Sequence, residues 1–482
     1  SSIALEGESF EGEWRAVEGS RYFQSPVLYK ENGFKKKEDA QKLICELSTQ
    51  QPLICTVEKI ERKKENKNPP LLFNLAELQN VCSKLFKISP DETLSIVQDL
   101  YEKKLVTYPR TDARVLSTAV AKEIYKNISG LRNYPQAGEA AQGALELGAY
   151  KNIAKTRYTN DKQITDHYAI IPTGQGLGAL KGLSLTAQRV YETIVRRFLS
   201  IFYPPAVYQK VSLVTKIQNE SFFSSFKVLL SEGYLKIAAN SFAKKTAADV
   251  GKASEGEGEE VSCDEALLAA LQKLKKGDIL NINGLGIKEG ETSPPKRYNS
   301  GSMILAMENA GQLIEDEDLR SQIKGSGIGT SATRAEILKK LFNIRYLSLN
   351  KKTQVITPTL QGEMIYDVVD HSVRSLLNPE LTASWEKGLT YVADGDITSD
   401  EYMMKLDRFV SSRTEGVKGL NNQYQLRACY DRVAPFYKNE KQSAKYTKSG
   451  RAKSGTKNGA KTVSKSGGRK STRTSTARKA DS

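Results

Sequence analysis

The chain has 482 residues, with 72 Lys and Arg against 56 Asp and Glu and a formal net charge of +16. That length exceeds one hydrophobic core and predicts two to four domains, while 39% hydrophobic and 27% charged residues fit a soluble globular protein. A long uncharged apolar run is missing, which excludes a membrane-spanning helix; five scattered Cys and two His exclude a structural zinc site and a multi-histidine metal centre.

The chain begins Ser1-Ser2, with neither an initiator Met nor a secretory signal, so a processed chain or part of a longer one is expected. Cys45, Cys55, Cys82, Cys263 and Cys429 read as small buried hydrophobes of a reducing cytoplasm. Residues 9–62 read as strands with one helix, Leu53, Cys55 and Val57 alternating with polar neighbours. The polar run 63–70 then breaks the pattern. From 71 to about 203 the period is helical. Asn74 with Glu77 resembles a capping box ahead of Leu75, Leu78, Cys82 and Leu85 on one face. Ser89-Pro90-Asp91-Glu92 opens a helix to about Lys104, and the short strand-like run LVTYPR follows. A later helix, about 185–202, carries Arg189, Arg196 and Arg197.

Strand character returns at 206–239 and 278–288, separated by an acidic stretch (251–260) and a short helix. After Pro294-Pro295 helices dominate to about 412, with one strand pair near 345–357. The β–α–β–α order suggests a helical domain inserted into a β domain, with a second helical domain behind it. Residues 441–482 hold thirteen Lys or Arg against Asp481 alone, a net of +12, and the other 440 residues hold 59 basic and 55 acidic groups. With almost no large apolar side chain, that terminus is expected to be disordered. Its one-signed charge suits a non-specific nucleic-acid arm better than a solubilising end.

The segment L-V-T-Y-P-R-T-D (105–112) carries the first candidate chemistry. A Tyr hydroxyl ordinarily titrates near ~10 and is a poor nucleophile until positive charge stabilises the phenolate or the group attacked. Arg110, two residues beyond Tyr108, lies on the same side of an extended segment, and Pro109 holds Tyr108 away from the helical region. Such a pair suits attack on a phosphodiester with the guanidinium on the phosphoryl oxygens; among 22 Tyr, a single Tyr–x–Arg is far more often the edge of a packed strand. Gln98 and Glu102, four apart, share a helix face that ends just before it. His167, in D-H-Y-A-I-I-P-T, is a core group or a donor to phosphate. The loop G-S-G-I-G-T-S-A-T-R (325–334) leads into a helix where backbone N–H groups, Thr330, Thr333 and Arg334 are placed to hold a phosphate. It lacks GK[ST], so it is not an ATP-binding Walker loop.

Together, F-N-L-A-E-L-Q (73–79), Q-x-x-x-E before T-Y-P-R-T-D, D-H-Y-A-I-I-P-T, E-T-S-P-P-K-R-Y (291–298), M-E-N-A-G (307–311), G-I-G-T-S-A-T-R-A (327–335) and E-L-T-A-S-W-E-K-G-L (380–389) resemble type IA DNA topoisomerases, most closely the topoisomerase III branch. The resemblance implies a multi-domain α+β, toroidal architecture. Its parts would be a gate domain split between 1–70 and 206–297, a helical tyrosine domain at 71–205, a helical groove domain at 298–412, and a linker with a disordered basic tail at 413–482. It further implies that Tyr108 cuts one DNA strand and keeps the 5′-phosphate, that Arg110 positions the scissile phosphate, and that His167 hydrogen-bonds DNA near the cut. Gln98, Glu102, Thr107, Asp112, Thr330, Thr333 and Arg334 would then contact DNA. Arg189, Arg196 and Arg197 are added from helix spacing. The partner would be single-stranded or underwound DNA, relaxed or decatenated without ATP or zinc by a cytoplasmic monomer. A bound Mg²⁺ is implied, with ligands in an N-terminal Toprim domain. Asp316-x-Asp318 and Asp394-Gly395-Asp396 have the spacing of such ligands but read as solvated surface, so the chain is expected to start inside the gate domain. A chain without the Toprim domain would be poorly active, or an accessory single-strand binder. Two isolated histidines argue against a tyrosine recombinase or a relaxase.

Overall fold

The computed structural model describes residues 2–5, 7–243, 261–262, 265–314 and 327–449. The acidic stretch 251–260, Cys263, Asp316, Asp318 and everything from 450 onward lie outside the described residues. Its largest β element is one eight-stranded sheet. Strands β1 (Ser2–Leu5), β2 (Glu8–Glu11), β3 (Glu13–Arg15) and β6 (Ile54–Lys67) come from the N-terminal stretch, which also holds the small hairpin β4 (Leu28–Lys30) and β5 (Gly33–Phe34). Strands β7 (Ala206–Ile217), β8 (Glu220–Ser231), β9 (Val261–Ser262) and β10 (Ile279–Gly284) return more than 130 residues later. The path is β2-β1-β10-β6-β7-β8-β3, with β9 beside β8. The long β6–β7 ladder runs antiparallel from Thr56↔Lys216 to Lys67↔Ala206, so the sheet is built from both sides of the helical stretch between them. Alternation puts Cys55 and Val57 of β6 and Val211 and Leu213 of β7 on the covered face. There they meet Leu43 and Leu47 of α1 (Lys37–Leu47) and Leu267, Leu268 and Leu271 of α8 (Glu265–Lys273).

The polar run after Ile60 does not break the strand as expected. Lys63, Lys64, Glu65, Asn66 and Lys67 continue the ladder against β7. Among the described residues β10 pairs with β6 only over 54–56, and no strand is described beside residues 58–66 on that edge. Charged residues suit such an edge because they discourage further strand pairing.

Residues 71–203 close around a second, larger apolar core containing Phe73, Leu78, Val97, Leu100, Val106, Ile124, Ile170, Tyr191 and Phe198. Asn74 caps α2 (Leu75–Phe86) by accepting the Glu77 N–H. Ser89 caps α3 (Pro90–Glu102) by accepting the Glu92 N–H, with Pro90 in the first turn. Leu85, expected on the buried face of α2, is 49% exposed in its last turn. The remaining long helices are α4 (Thr118–Gly130), α5 (Gly138–Leu147) and α6 (Leu185–Ser200). LVTYPR forms no continuous strand. It makes one isolated bridge, Val106 with Pro172.

Beyond 298, α9 (Ser300–Glu308) follows the short helix α7 (Leu235–Ala238) and α8 in chain order. Helices Arg334–Asn343, Leu360–Asp370 and Pro379–Asp394 come next, with a strand pair Leu347–Leu349 and Ile356–Pro358 between the first two. The stretch expected as a linker from 413 is helical instead. Helix Ser399–Lys418, capped by Thr398, runs through that boundary, and helix Gln423–Ser449 follows. That last helix lies in a separate compact unit, 422–482, the first being 1–421. Among the described residues no helix is long and apolar enough to cross a membrane. Cys55, Cys82 and Cys429 are buried as expected, but Cys45 is exposed. Burial pushes the Cys55 thiol up to about 11 and Cys82 up to about 12, which keeps both unreactive.

Candidate active site around Tyr108

Tyr108 sits on an irregular segment held from two sides. On one side, the Thr107 N–H donates to the Ile171 carbonyl (3.0 Å), and its hydroxyl both donates to Ala169 O and accepts the Ile171 N–H (3.0 Å each). Thr111 Oγ1 donates to the His167 carbonyl (2.8 Å). On the other side, the Leu75 N–H donates to Thr111 O and the Ile170 N–H to Phe73 O. Tyr108 therefore projects from backbone whose polar groups are tied into the core, a preorganised mount for a reacting group. Thr107, expected at DNA, spends its hydroxyl on this mount.

The His167 ring lies 4.3 Å from the Tyr108 ring, tilted by 40°. On the far side of sequence, Tyr101 from the last turn of α3 meets Tyr108 edge to face at 5.5 Å. Sequence reasoning missed Tyr101, although it stands three residues after Gln98 on the face already singled out. Gln98 donates to Glu102 at 3.3 Å, a contact that leaves both near the protein surface. Arg110 is half-buried, and among the described residues no hydrogen bond or ion pair engages its guanidinium.

The other candidate arginines are placed differently. Arg196 donates to Glu192, to Ile237 O and to Gln136 O. Arg197 donates to Leu71 O, lies 4.0 Å over the Phe73 ring and sits 3.9 Å from Glu77. Burial pulls its guanidinium down to about 10, with Glu77 opposing. Both brace α6 against its neighbours rather than facing an open groove. Arg189 lies over the Phe242 ring at 5.3 Å. Helix spacing showed that these side chains share α6, but only packing shows that the helix is buried where they stand.

Arg334 is 1% exposed. Its guanidinium reaches Asp112 (2.9 Å) and the Ile328 carbonyl (3.2 Å), so it turns inward instead of meeting a ligand at the helix N-terminus. Thr330 and Thr333 are exposed and bond to each other, Thr333 Oγ1 accepting the Thr330 N–H at 3.0 Å. Gly327 and Gly329 have φ of +63° and +67°, which lets the loop fold back under α9; a Cβ on Gly327 would lie 2.4 Å from the Met307 carbonyl. Asp394 and Asp396 are exposed around Gly395 at a helix end. His371 caps another helix, its ring Nδ1 2.8 Å from Asp367 O. Among the described residues no group of three or more His, Cys, Asp or Glu is arranged to hold a metal ion. The described residues thus do not fit a Mg²⁺ site, whose ligands the resemblance puts in a Toprim domain; the candidate groups among them are Tyr108, Arg110 and His167.

A family model for DNA topoisomerase matches residues 11–404. The DNA topoisomerase 3 of Bacillus licheniformis is 34% identical over 360 residues, covering 74% of this chain and 46% of that protein. The DNA topoisomerase 3 of Bacillus subtilis is 31% identical over 414 residues, covering 85% and 53%. The chain thus spans about half the length of these relatives. Full-length topoisomerase I from Thermotoga maritima superposes with a TM-score of 0.56 at 21% identity, over 85% of this chain and 57% of that one, a likeness of fold. A family match across residues 11–404, with the tyrosine segment and its His and Arg neighbours inside it, places this chain among the type IA DNA topoisomerases, on the topoisomerase III-like side.

Proposed function

We propose that this chain carries the strand-cutting chemistry of a type IA topoisomerase and acts on single-stranded or underwound DNA. Tyr108 Oη attacks a backbone phosphorus. A P–O bond to the tyrosine forms as the bond to the 3′ oxygen breaks, the phenol proton is lost and the departing 3′ oxygen is protonated. The products are a 5′-phosphotyrosine and a free 3′-hydroxyl. One phosphodiester replaces another, so the reversal that rejoins the strand needs no ATP. Strain in underwound DNA drives passage of the other strand between the two steps, for relaxation or decatenation. The observation that carries this reading is Arg110: a cation with no hydrogen-bond or ion-pair partner among the described residues, two residues from a Tyr whose ring is held by His167 and Tyr101. A guanidinium so placed clamps phosphoryl oxygens as charge develops on them, and His167 donates to the strand beside the cut. Gln98 and Glu102 lie along the path of that strand. In the toroid implied by the family, the eight-stranded sheet is the split gate domain and the helices beyond 298 border the groove; the enzyme works as a cytoplasmic monomer.

The test is a single-stranded oligonucleotide incubated with the chain, with and without Mg²⁺, and denatured. Label at the 3′ end should travel with the protein, and label at the 5′ end should run as a shorter free fragment. Label on the opposite ends, or no adduct at all, removes the assignment. Tyr101→Ala should lower adduct yield roughly two- to tenfold, the range of a lost aromatic pair, while Tyr101→Phe retains it. Equal yields from both would remove Tyr101 from the site. Deleting 450–482 removes ten Lys and Arg. The slope of log affinity against log salt for single-stranded DNA should then shrink by up to about 7, at ~0.7 for each phosphate contact; an unchanged slope would show that this terminus makes none.

A further inference from the structure

Four side chains from four distant motifs converge where the tyrosine module meets the helices beyond 298. Arg334 is buried and paired with Asp112, four residues after the nucleophile. The Asp112 main-chain carbonyl accepts from Asn74 Nδ2 (3.1 Å), and the same amide donates to Glu308 Oε1 (2.6 Å). Asn74 Oδ1 accepts the Glu77 N–H, so both ends of this amide are engaged. Burial pushes the Glu308 carboxyl up, while the Arg334 guanidinium beside it pulls it down.

The contact around this cluster mixes polar pairs with a small apolar patch. Ser83 Oγ lies 3.0 Å from Ser300 Oγ, which donates on to Gln354. Lys339 pairs with Asp91 at the rim. Among the described residues its apolar part is small: Ala76, Ile304 and Leu338 are buried, with Met303, Leu305, Met307, Leu341 and Phe342 partly buried against them, beside the large core inside 71–203. The fit is nevertheless close, since a Cβ on Gly301 would come within 2.6 Å of Asn80 Cα. A contact of this composition is specific when shut and separable when required. Water satisfies the same polar groups once they part, whereas apolar surface resists exposure.

We propose that Asn74, Asp112, Glu308 and Arg334 are positioning residues that form a closed-state latch, fixing the Tyr108 segment against the Ser300–Asn343 region and parting when the tyrosine module moves to let a strand through. This rests on the strand-cutting reading for its purpose, but not for its existence. Asp112 and Arg334 then act on Tyr108 through geometry, without touching DNA in the closed state.

The test compares Asp112→Asn and Glu308→Gln with the unaltered 482-residue chain by amide hydrogen exchange without DNA, then by rejoining of the oligonucleotide adduct. Asp112→Asn should raise exchange about tenfold at 72–76, 110–116, 300–309 and 328–336 together, leaving Thr118–Gly130 and Leu185–Ser200 unchanged. Glu308→Gln, which keeps an acceptor, should raise the same four segments two- to threefold. Rejoining should slow about tenfold in Asp112→Asn relative to cleavage, because the open state gains population. Exchange that is unchanged, or raised at 110–116 alone, overturns the latch. If Asp112→Asn unfolds throughout, Glu308→Gln decides, and the absence of a joint rise there overturns the proposal. An unaltered chain that forms no adduct removes the strand-cutting reading, while the exchange pattern still decides whether the latch exists.

Discussion

Tyr108→Phe is expected to abolish the covalent DNA adduct, a loss of more than about a thousandfold, as for removal of an enzyme nucleophile. The substitution removes one oxygen. The ring that contacts His167 at 4.3 Å and Tyr101 at 5.5 Å stays, and so does the Thr107–Thr111 backbone lacing beneath it. The variant should therefore fold normally and bind single-stranded DNA with unchanged affinity. Adduct formed by Tyr108→Phe at the level of the unaltered chain would assign the nucleophile elsewhere.

The second large effect lies away from the chemistry. Glu192→Ala is expected to destabilise the helical module by roughly 3–5 kcal/mol, the cost of stripping one partner from a buried ion pair. The Glu192 side chain is 4% exposed and that of Arg196 12%. The carboxylate accepts from Arg196 Nε, the Ser241 N–H and Ser241 Oγ, each at 2.6 Å. Removing it leaves a guanidinium without its anion and frees the chain at Ser241 from α6. Glu192→Gln keeps an acceptor and should lose less. Urea unfolding followed by tryptophan-independent far-UV signal measures both, and a loss below about 1 kcal/mol for Glu192→Ala would show that Arg196 is satisfied by its two carbonyl partners alone.

Local signals located what depends on neighbours in the chain. Ser89-Pro90-Asp91-Glu92 marked the start of α3 because a cap and a first-turn Pro act within four residues. Tyr108 and Arg110 stand out as a pair because attack on a phosphodiester would need both types close together. Tyr101 could have been found from its spacing to Gln98, but its edge-to-face contact with Tyr108 depends on how α3 meets the following loop. The arginines show the opposite limit. Arg110, Arg196, Arg197 and Arg334 look alike in a sequence, and a cation is free for a ligand only if no carboxylate or carbonyl has been folded against it. Glu192, Leu71 and Asp112 come from different positions relative to their arginines, from a helical turn away to more than 200 residues away.

The sequence alone therefore determined the β–α–β–α order and the family, each encoded in short-range pattern or in ordered motifs. The tertiary structure decided which charges are spent internally, how far β6 runs through its polar end, and which four residues join the tyrosine segment to the helices beyond 298. The reason is physical: a hydrogen bond or ion pair between residues 74, 112, 308 and 334 leaves no periodicity in the chain, and exists only once packing has brought them within 3 Å or so of one another.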